Sequence, residues 1–341
     1  MKKPDFRRWR AAALVGVALT GVVVTGPSAA YAGQPARHSG DLDLRVAVGV
    51  DGVDSVRIHA ERYAPVGKVR GVQVMVPGST YDHHYFDYFD PGGGGVVSQA
   101  RQAAREGWLV IALDRVGTGK SSKPPAASVT TAVQVASVDH FVDRIDAMYR
   151  GLPIALVGHS YGSVVAEGVA ARSDKVDALV VTGFLYRRTA PSFDGFPELV
   201  PAATDPVLGK ERFPADYLTT SPGSRKFFYH LPNASPATVA ADERTKSATT
   251  AAEIPGFTEE FVGRAFARAV RVPVLVVVGE EDYLYRGNDP AAFEPDQRSA
   301  FAAAADVRVV LVPGAGHGLA LHRNAPFTTM VINRWASSAV A

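Results

Sequence analysis

The pentapeptide Gly158-His159-Ser160-Tyr161-Gly162 constrains the fold of this chain more than any other feature. The apolar run Ile154-Ala155-Leu156-Val157 precedes it, and a helix-compatible run over residues 163–170 follows it. This order predicts a strand, a sharp turn with a serine at its apex, and then a helix. A serine on such a turn has a strained backbone and close neighbours, so glycine two positions to either side avoids a steric clash.

Strand-like and helix-like runs alternate on both sides of this turn. Apolar or alternating runs predict eight strands, over residues 42–50, 56–63, 69–76, 108–113, 154–157, 176–182, 272–278 and 307–312. Helical spacing predicts further helices over residues 98–106, 137–149, 259–270 and 325–337. The first two strands are expected to be antiparallel. The continuous apolar strands that alternate with helices predict an α/β fold with a mostly parallel eight-stranded sheet and helices on both faces.

The alternation stops between residues 184 and 270, which are rich in proline, alanine, threonine and aromatic residues. A gap this long is too long for a bare loop, so it predicts an inserted subdomain that forms a lid over the site. Some of its aromatic residues are expected to line an apolar acyl or alcohol pocket, and the candidates to test are Phe193, Phe213, Phe227, Phe228 and Phe261. The basic pairs Arg187-Arg188 and Arg225-Lys226 are expected to lie on solvated faces.

The first 32 residues have the composition and order of a secretory signal peptide. Five basic residues come first, residues 11–24 form an apolar segment, and Ala30-Tyr31-Ala32 offers a cleavage site. The apolar segment is shorter than the roughly 20 residues that span a bilayer, so a signal is favoured over a membrane anchor. We expect an exported protein, extracellular or on the periplasmic or cell-wall side, with no stable membrane anchor after cleavage. The domains predicted are residues 1–32 (signal), 33–183 (first part of the core), 184–270 (lid) and 271–341 (second part of the core).

Charge and cysteine content exclude several classes of function. The whole chain carries a formal charge of +2, but the signal removes five basic residues and one acidic residue, so the remainder is slightly acidic. No cluster of basic residues remains that would predict a nucleic-acid partner. The chain has no cysteine, so it has no thiolate metal site, and His83-His84 do not converge well on one ion. The sequence predicts neither a metal nor a cofactor.

A serine at the turn needs a base, and the base needs an acid that fixes its tautomer. His317 follows the last predicted strand in a glycine-rich loop, and Asp282 directly follows the strand over residues 272–278. The order Ser160, Asp282, His317 is the one expected for a serine in this strand–turn–helix context. The alternatives are His322 for the base, and Glu280, Glu281 or Asp289 for the acid.

Two N–H groups are needed to stabilise the oxyanion of an acyl-transfer intermediate. The amide of Tyr161, directly after the serine, is the first candidate. The second is the amide of Ser79 in the loop Pro77-Gly78-Ser79-Thr80-Tyr81 after the third strand, with Thr80 as the alternative.

Together these stretches resemble the α/β-hydrolase superfamily along residues 42–338. The match rests on residues 76–79, the loop 114–122, the Gly-x-Ser-x-Gly turn, and the Asp282 and His317 loops, all in order. The family's oxyanion loop usually reads His-Gly, and here Pro77 replaces the histidine. By resemblance, residues 114–122 are a structural loop near the turn, and Ser160 argues against the dehalogenase and epoxide hydrolase branches, which use aspartate.

The resemblance implies a serine esterase, similar to carboxylesterases and lipases, that acts through an acyl-enzyme on a small, apolar ester, and the signal-like first 32 residues predict that it is secreted. A lactonase, an amidase or peptidase, and a C–C hydrolase of the same fold are the alternatives. A non-catalytic binding protein is disfavoured by the complete Ser160, Asp282 and His317 set.

Overall fold

The computed structural model describes residues 38–90, 95–186, 196–211, 213–285 and 289–341. The predicted signal peptide, Arg187, Arg188 and Phe193 lie outside the described residues. The strands are β1 (His38–Val50), β2 (Val53–Tyr63), β3 (Gly71–Val76), β4 (Asp87–Asp90), β5 (Gly95–Ser98), β6 (Trp108–Leu113), β7 (Ile154–His159), β8 (Ala178–Thr182), β9 (Leu199–Pro201), β10 (Tyr217–Thr220), β11 (Thr249–Thr250), β12 (Val274–Gly279) and β13 (Val307–Val312). The helices are α1 (Gln99–Arg105), α2 (Thr131–Met148), α3 (Tyr161–Ala170), α4 (Pro236–Thr245), α5 (Glu253–Gly263), α6 (Ala265–Ala269), α7 (Phe293–Ala300) and α8 (Ala325–Ala339).

The central sheet has eight strands in the order β1-β2-β6-β3-β7-β8-β12-β13. The β1–β2 and β2–β6 pairs are antiparallel, and the remaining pairs are parallel. The predicted eight-stranded, mostly parallel sheet is therefore confirmed. Each of its strands overlaps one of the eight predicted runs, because continuous apolar runs suit strands buried on both faces and alternating runs suit strands with one buried face.

The inner strands of this sheet, β3, β6, β7, β8 and β12, are buried on both faces. Alternate residues of one strand belong to different hydrophobic clusters, as Val74 and Met75 in β3 show. The cluster on the Val74 side includes side chains of α2 and α3, and the cluster on the Met75 side includes side chains of α1 and α8. The strands β3, β7, β8, β12 and β13 are parallel, so the loops that follow them meet at one edge of the sheet.

The segment between β8 and β12 has secondary structure of its own. It contains a three-stranded antiparallel sheet in the order β11-β10-β9 and the helices α4, α5 and α6. The helix predicted over residues 259–270 is instead two helices, because Arg264 adopts a left-handed conformation with φ of +57° between them. This segment, residues 184–270, is called the insertion below.

A search of the described residues for membrane-spanning helices identifies none of sufficient length and apolar character.

Candidate active site

Ser160 lies at the apex of the turn between β7 and α3. Its backbone has φ of 52° and ψ of −123°, a strained conformation for a residue with a side chain. Its N–H donates to the carbonyl of Thr182 at 2.7 Å, and its own carbonyl accepts from the N–H of Ser163 at 2.8 Å. Since no hydrogen bond of the helix cap uses the Ser160 side chain, the hydroxyl is available for chemistry.

The two glycines of the pentapeptide are required by close approaches of the backbone. A Cβ on Gly162 would lie 2.3 Å from the carbonyl oxygen of Val76, and a Cβ on Gly158 would lie 2.5 Å from the Cα of Ser163. Both distances are far inside van der Waals contact. The Gly-x-Ser-x-Gly spacing thus allows α3 to pack against both β7 and the end of β3.

Asp282 and His317 are hydrogen-bonded to each other after β12 and β13. The Nδ1 atom of His317 lies 2.9 Å from Oδ2 of Asp282, and both side chains are buried. The other carboxylate oxygen of Asp282 accepts from the N–H of Leu284 at 3.1 Å. A carboxylate accepts hydrogen bonds only, so the proton of neutral His317 lies on Nδ1 and the lone pair on Nε2. In this tautomer His317 can accept a proton at Nε2.

His317 lies beside the residue that precedes the apical serine. The ring centroids of His159 and His317 are 5.0 Å apart. Gly183, at φ of +63° after β8, lies close to both rings, since a Cβ there would lie 2.9 Å from Cε1 of His159 and 3.3 Å from Cε1 of His317. Burial, together with the nearby His317 and Arg225, holds the pKa of His159 well below its usual range, so this ring is neutral.

The alternative residues for the base and the acid have other partners. Both ring nitrogens of His322 contact backbone groups: Nε2 accepts from the N–H groups of His230 and Gly316, and Nδ1 lies 2.9 Å from the carbonyl of Gly318. Burial lowers the pKa of His322 to about 4. His322 therefore holds the loop that carries His317.

The alternative carboxylates also lie in other contacts. Glu280 accepts from the N–H of Gly314 at 3.1 Å, Glu281 lies 3.9 Å from Nδ1 of His230, and Asp289 caps the short helical turn that follows it. Asp282 is the one of these four carboxylates that hydrogen-bonds to His317.

The loop after β3 runs directly beside Ser160. A Cβ on Gly78 would lie 3.0 Å from Cβ of Ser160 and 3.1 Å from the carbonyl oxygen of His159. Ser79, the next residue, is half-buried, and Tyr161 begins α3, so its N–H has no acceptor within the helix. Thr80 is buried at φ of +59°. Tyr161 thus directly follows the serine in sequence, and Ser79 directly follows Gly78, which lies beside the serine.

The prediction that Arg225 lies on a solvated face is wrong, whereas Lys226 is exposed as expected. Arg225 is fully buried, and its guanidinium donates to Oδ1 of Asp242 at 2.8 and 3.1 Å. Arg115 is also fully buried and is paired with Glu253. Sequence reasoning missed both arginines as parts of the site, since arginine is usually exposed and their partners follow 17 and 138 residues later.

An aromatic cluster packs against His317. The rings of Phe228 and Tyr283 lie 5.7 and 5.5 Å from the His317 ring, and Phe227 lies 4.0 Å from Tyr283. Of the other aromatic residues chosen from sequence, Phe261 packs on Phe184, and Phe213 packs on Tyr217. The insertion thus brings Phe227 and Phe228 to the site and uses Phe213 and Phe261 in its own packing.

Among the described residues, three groups of side chains offer ligand atoms within 4.8 Å of one another: His59, Glu61 and His83; Asp82, His83 and His84; and His38, Asp41 and Glu61. The expectation that His83 and His84 do not converge is therefore wrong, since both belong to the second group. Both nitrogens of His83 already contact carboxylates, with Nδ1 at 2.7 Å from Asp114 and Nε2 at 3.0 Å from Glu61. Burial lowers the pKa of His83, but these contacts outweigh it and raise the pKa to about 11. At neutral pH the His83 imidazolium therefore balances the negative charge of the Asp114 and Glu61 carboxylates.

Comparison with known proteins gives one family and many similar folds. A sequence model of the alpha/beta hydrolase family matches residues 73–329. No curated protein matches the chain significantly. A thermophilic esterase from Thermogutta terrifontis with malate bound superposes with a TM-score of 0.59 at 16% identity, over 88% of this chain and 100% of that one.

Two further solved structures are similar to the same extent. A thermostable carboxyl esterase from Bacillus coagulans gives a TM-score of 0.60 at 16% identity, over 89% of this chain and 99% of that chain. A monoacylglycerol lipase from Paleococcus ferrophilus gives 0.56 at 17% identity, over 83% and 99%. At these identities the superpositions establish a shared fold.

Proposed function

The chain belongs to the alpha/beta hydrolase family, and on that premise we propose that it is a serine hydrolase that cleaves an ester through an acyl-enzyme. Ser160 is the nucleophile, His317 the base and Asp282 the acid that orients it. The observation that carries the proposal is the 2.9 Å contact of His317 Nδ1 with Asp282, in a ring that lies next to the serine turn. The folds of the esterases and the lipase named above are consistent with this activity.

The proposed reaction has two symmetrical halves. His317 Nε2 takes the proton of Ser160 as the hydroxyl oxygen attacks the ester carbonyl, and the N–H groups of Ser79 and Tyr161 stabilise the oxyanion. His317 then gives that proton to the leaving alcohol, and an acyl group remains on Ser160. In the second half, His317 takes a proton from water as the water oxygen attacks the acyl-enzyme. The carboxylic acid product is then released and Ser160 regains its proton. Asp282 stabilises the imidazolium in both halves.

The proposal is tested with a fluorophosphonate probe and a substrate panel. We expect the probe to label Ser160 stoichiometrically, as mass spectrometry of the tryptic peptide would show. The panel contains p-nitrophenyl esters of graded length, lactones and amino-acid anilides, and we expect the esters to react fastest. An unlabelled Ser160 would argue for a non-catalytic protein, and faster turnover of lactones or anilides would reassign the substrate.

We infer an apolar substrate, and we infer that the insertion acts as its lid. His317 gives a proton to the leaving alcohol, so the aromatic side chains that pack on His317 lie on the alcohol side of the ester. Phe227 and Tyr283 are half-buried at this position and offer an apolar surface to that group.

Replacing Phe227 by alanine is expected to lower kcat/KM for octyl acetate about tenfold and to leave ethyl acetate within about twofold. Each CH₂ removed from water is worth about 0.8 kcal/mol, or roughly fourfold in affinity, so renewed exposure of one or two CH₂ groups of the octyl chain has about this effect. Phe261→Ala is the matched control, because Phe261 is a buried phenylalanine of the insertion that packs on Phe184 and Tyr186. An unchanged octyl-to-ethyl ratio in folded Phe227→Ala protein would place the specificity pocket outside the insertion.

We also propose that residues 1–32 are removed on export. The basic, apolar and small-residue segments of this stretch support cleavage after Ala32. Expression in a secreting host followed by N-terminal sequencing is expected to give a first residue near Gly33 in the medium or cell-wall fraction. Exported protein that retains Met1 would contradict the proposal.

A further inference from the structure

Two buried arginines hydrogen-bond to the loop after β3, and each is paired with a carboxylate from the insertion. Arg115 contacts Glu253 at the start of α5, and Arg225 contacts Asp242 in α4. We propose that the insertion positions the oxyanion hole through these pairs, in addition to covering the site. The proposal rests on the function assigned above, in which Ser79 and Tyr161 are the oxyanion donors, and it makes Arg115 and Glu253 positioning residues.

Arg115 fixes the peptide group whose N–H is the proposed donor. Its Nε donates to the carbonyl of Pro77 at 2.9 Å, and its Nη2 donates to the carbonyl of Gly78 at 3.0 Å. The carbonyl of Gly78 and the N–H of Ser79 belong to one planar, trans peptide, so they point in opposite directions. When Arg115 holds that carbonyl on one side of the loop, the N–H of Ser79 must point to the other side. The positive guanidinium that hydrogen-bonds to the Gly78 carbonyl also polarises this peptide group, which makes the Ser79 N–H a stronger donor.

The same guanidinium also contacts the residue of the second donor. The Cζ atom of Arg115 lies 4.8 Å from the centroid of the Tyr161 ring. The hydroxyl of Tyr161 lies 2.9 Å from that of Thr131, which in turn donates to the carbonyl of Glu253 at 3.0 Å. Arg115 thus connects both proposed oxyanion donors to the first residue of α5.

Glu253 determines where this guanidinium lies. One carboxylate oxygen accepts from Nη1 of Arg115 at 2.6 Å and from the side-chain amide of Gln134 at 2.7 Å, and the other accepts from the hydroxyl of Thr249. A fully buried guanidinium without its carboxylate is an unpaired charge in a medium of low polarity. Without the Glu253 charge, Arg115 would move toward another acceptor or toward water and release the two carbonyls.

The other end of the loop is held by the insertion directly. Thr80 adopts φ of +59°, which is unfavourable for a β-branched residue and needs support from its surroundings. Its hydroxyl accepts from Nη1 of Arg225 at 2.7 Å, and its carbonyl accepts from the N–H of Ser247 at 2.9 Å. The Arg225 guanidinium also stacks over the ring of Tyr81 at 4.0 Å. Ser79 is therefore fixed on both sides, by Arg115 before it and by the insertion after it.

The test compares Arg115→Lys and Glu253→Gln with a matched control, Glu260→Gln. Lysine keeps a positive charge beside Glu253, but its single ammonium group cannot reach the carboxylate and both carbonyls. Glu260 is a buried carboxylate of the same helix, and it accepts from Tyr186 and from the N–H groups of Phe266 and Ala267, away from the loop. Each variant is assayed with p-nitrophenyl acetate and with an alkyl boronic acid, which binds the serine as a tetrahedral adduct. Melting temperature reports the structural effect.

We expect Arg115→Lys and Glu253→Gln to lower kcat about ten- to a hundredfold with little change in KM, and to weaken boronate binding in parallel. Complete loss of one oxyanion donor costs 10²–10³ in kcat, so displacement of a donor should cost less. Glu260→Gln should keep kcat within about twofold, even where it lowers the melting temperature as much. If Glu253→Gln does not fold, Arg115→Lys alone decides.

The inference would be overturned if Arg115→Lys and Glu253→Gln had the kcat of the wild type, or if Glu260→Gln lost as much kcat as they do. These outcomes are distinct from failure of the proposed function, in which the wild-type enzyme hydrolyses no ester and Ser160 is not labelled.

Discussion

Replacing Ser160 by alanine is expected to lower kcat for every ester substrate by about 10⁶-fold, the loss seen when a triad serine is removed. The variant should fold like the wild type, because no hydrogen bond of the helix cap uses the Ser160 hydroxyl. The loss is expected to be uniform across short and long esters, since the nucleophile serves all of them. Initial rates with p-nitrophenyl acetate and p-nitrophenyl octanoate, together with far-UV circular dichroism, measure both effects.

Ser163→Ala is the matched control for this variant. Ser163 lies in the same helix and is buried, but its hydroxyl serves the backbone: it donates to the carbonyl of Thr182 at 3.1 Å and accepts from the Thr182 N–H at 3.2 Å. Its loss should lower stability by about 1–3 kcal/mol, because buried backbone groups lose a partner, and it should leave kcat within severalfold. A Ser160→Ala protein with more than about 1% of wild-type turnover would assign the nucleophile elsewhere.

The sheet was predictable from sequence because its strands carry a local signal. Val274 to Val278 and the other parallel strands are apolar on both faces, which few structures other than a buried strand allow. The start of α2 was not predictable in the same way. Residues 131–136 contain Thr131, Val133 and Val135, which favour extended structure. They nevertheless form the first turns of the helix, where tertiary packing buries all three side chains.

Little of the secondary structure in the segment between β8 and β12 was predictable from the sequence. The helix α4 has Pro236 at its first position after Ser235, a start signal that was available in the sequence. The break at Arg264 depends on a left-handed backbone at a residue other than glycine, for which the sequence offers no signal beyond the preceding Gly263.

The arginines differ from the strands because their roles depend on distant partners. Local polarity places Arg225 on the surface, and the fold buries it only because Asp242 and Thr80 converge on it. Arg115 is similar, since Glu253 and the adjacent carbonyls of Pro77 and Gly78 come from two other parts of the chain. A motif identifies the serine turn because steric needs act between neighbours, whereas a network of long-range contacts leaves no fixed spacing to detect.

Replacing His317 by alanine is expected to lower kcat by about as much as the loss of Ser160, near 10⁶-fold, because serine without its base is a poor nucleophile at neutral pH. Asp282→Asn should cost about 10⁴-fold, since asparagine can hold the imidazole but favours the wrong tautomer. Asp282 acts on His317 through the Nδ1 contact of 2.9 Å and does not take the serine proton itself, so its replacement should cost less than the loss of His317. The double variant Ser160→Ala/His317→Ala should be no slower than either single variant, because the two residues act as a unit.

His322→Gln serves as the control, and it tests the alternative base directly. His322 is buried like His317 and lies five residues away, but its ring nitrogens contact the backbone of His230, Gly316 and Gly318. Its replacement should lower the melting temperature and should reduce kcat by no more than about tenfold, through the loop that carries His317. Should His322→Gln abolish turnover while His317→Ala retains it, the base would be His322 and the contact with Asp282 would be structural. Measured together with the Asp282→Asn rate, the pair of histidine variants thus separates a residue that moves the proton from one that holds the loop in place.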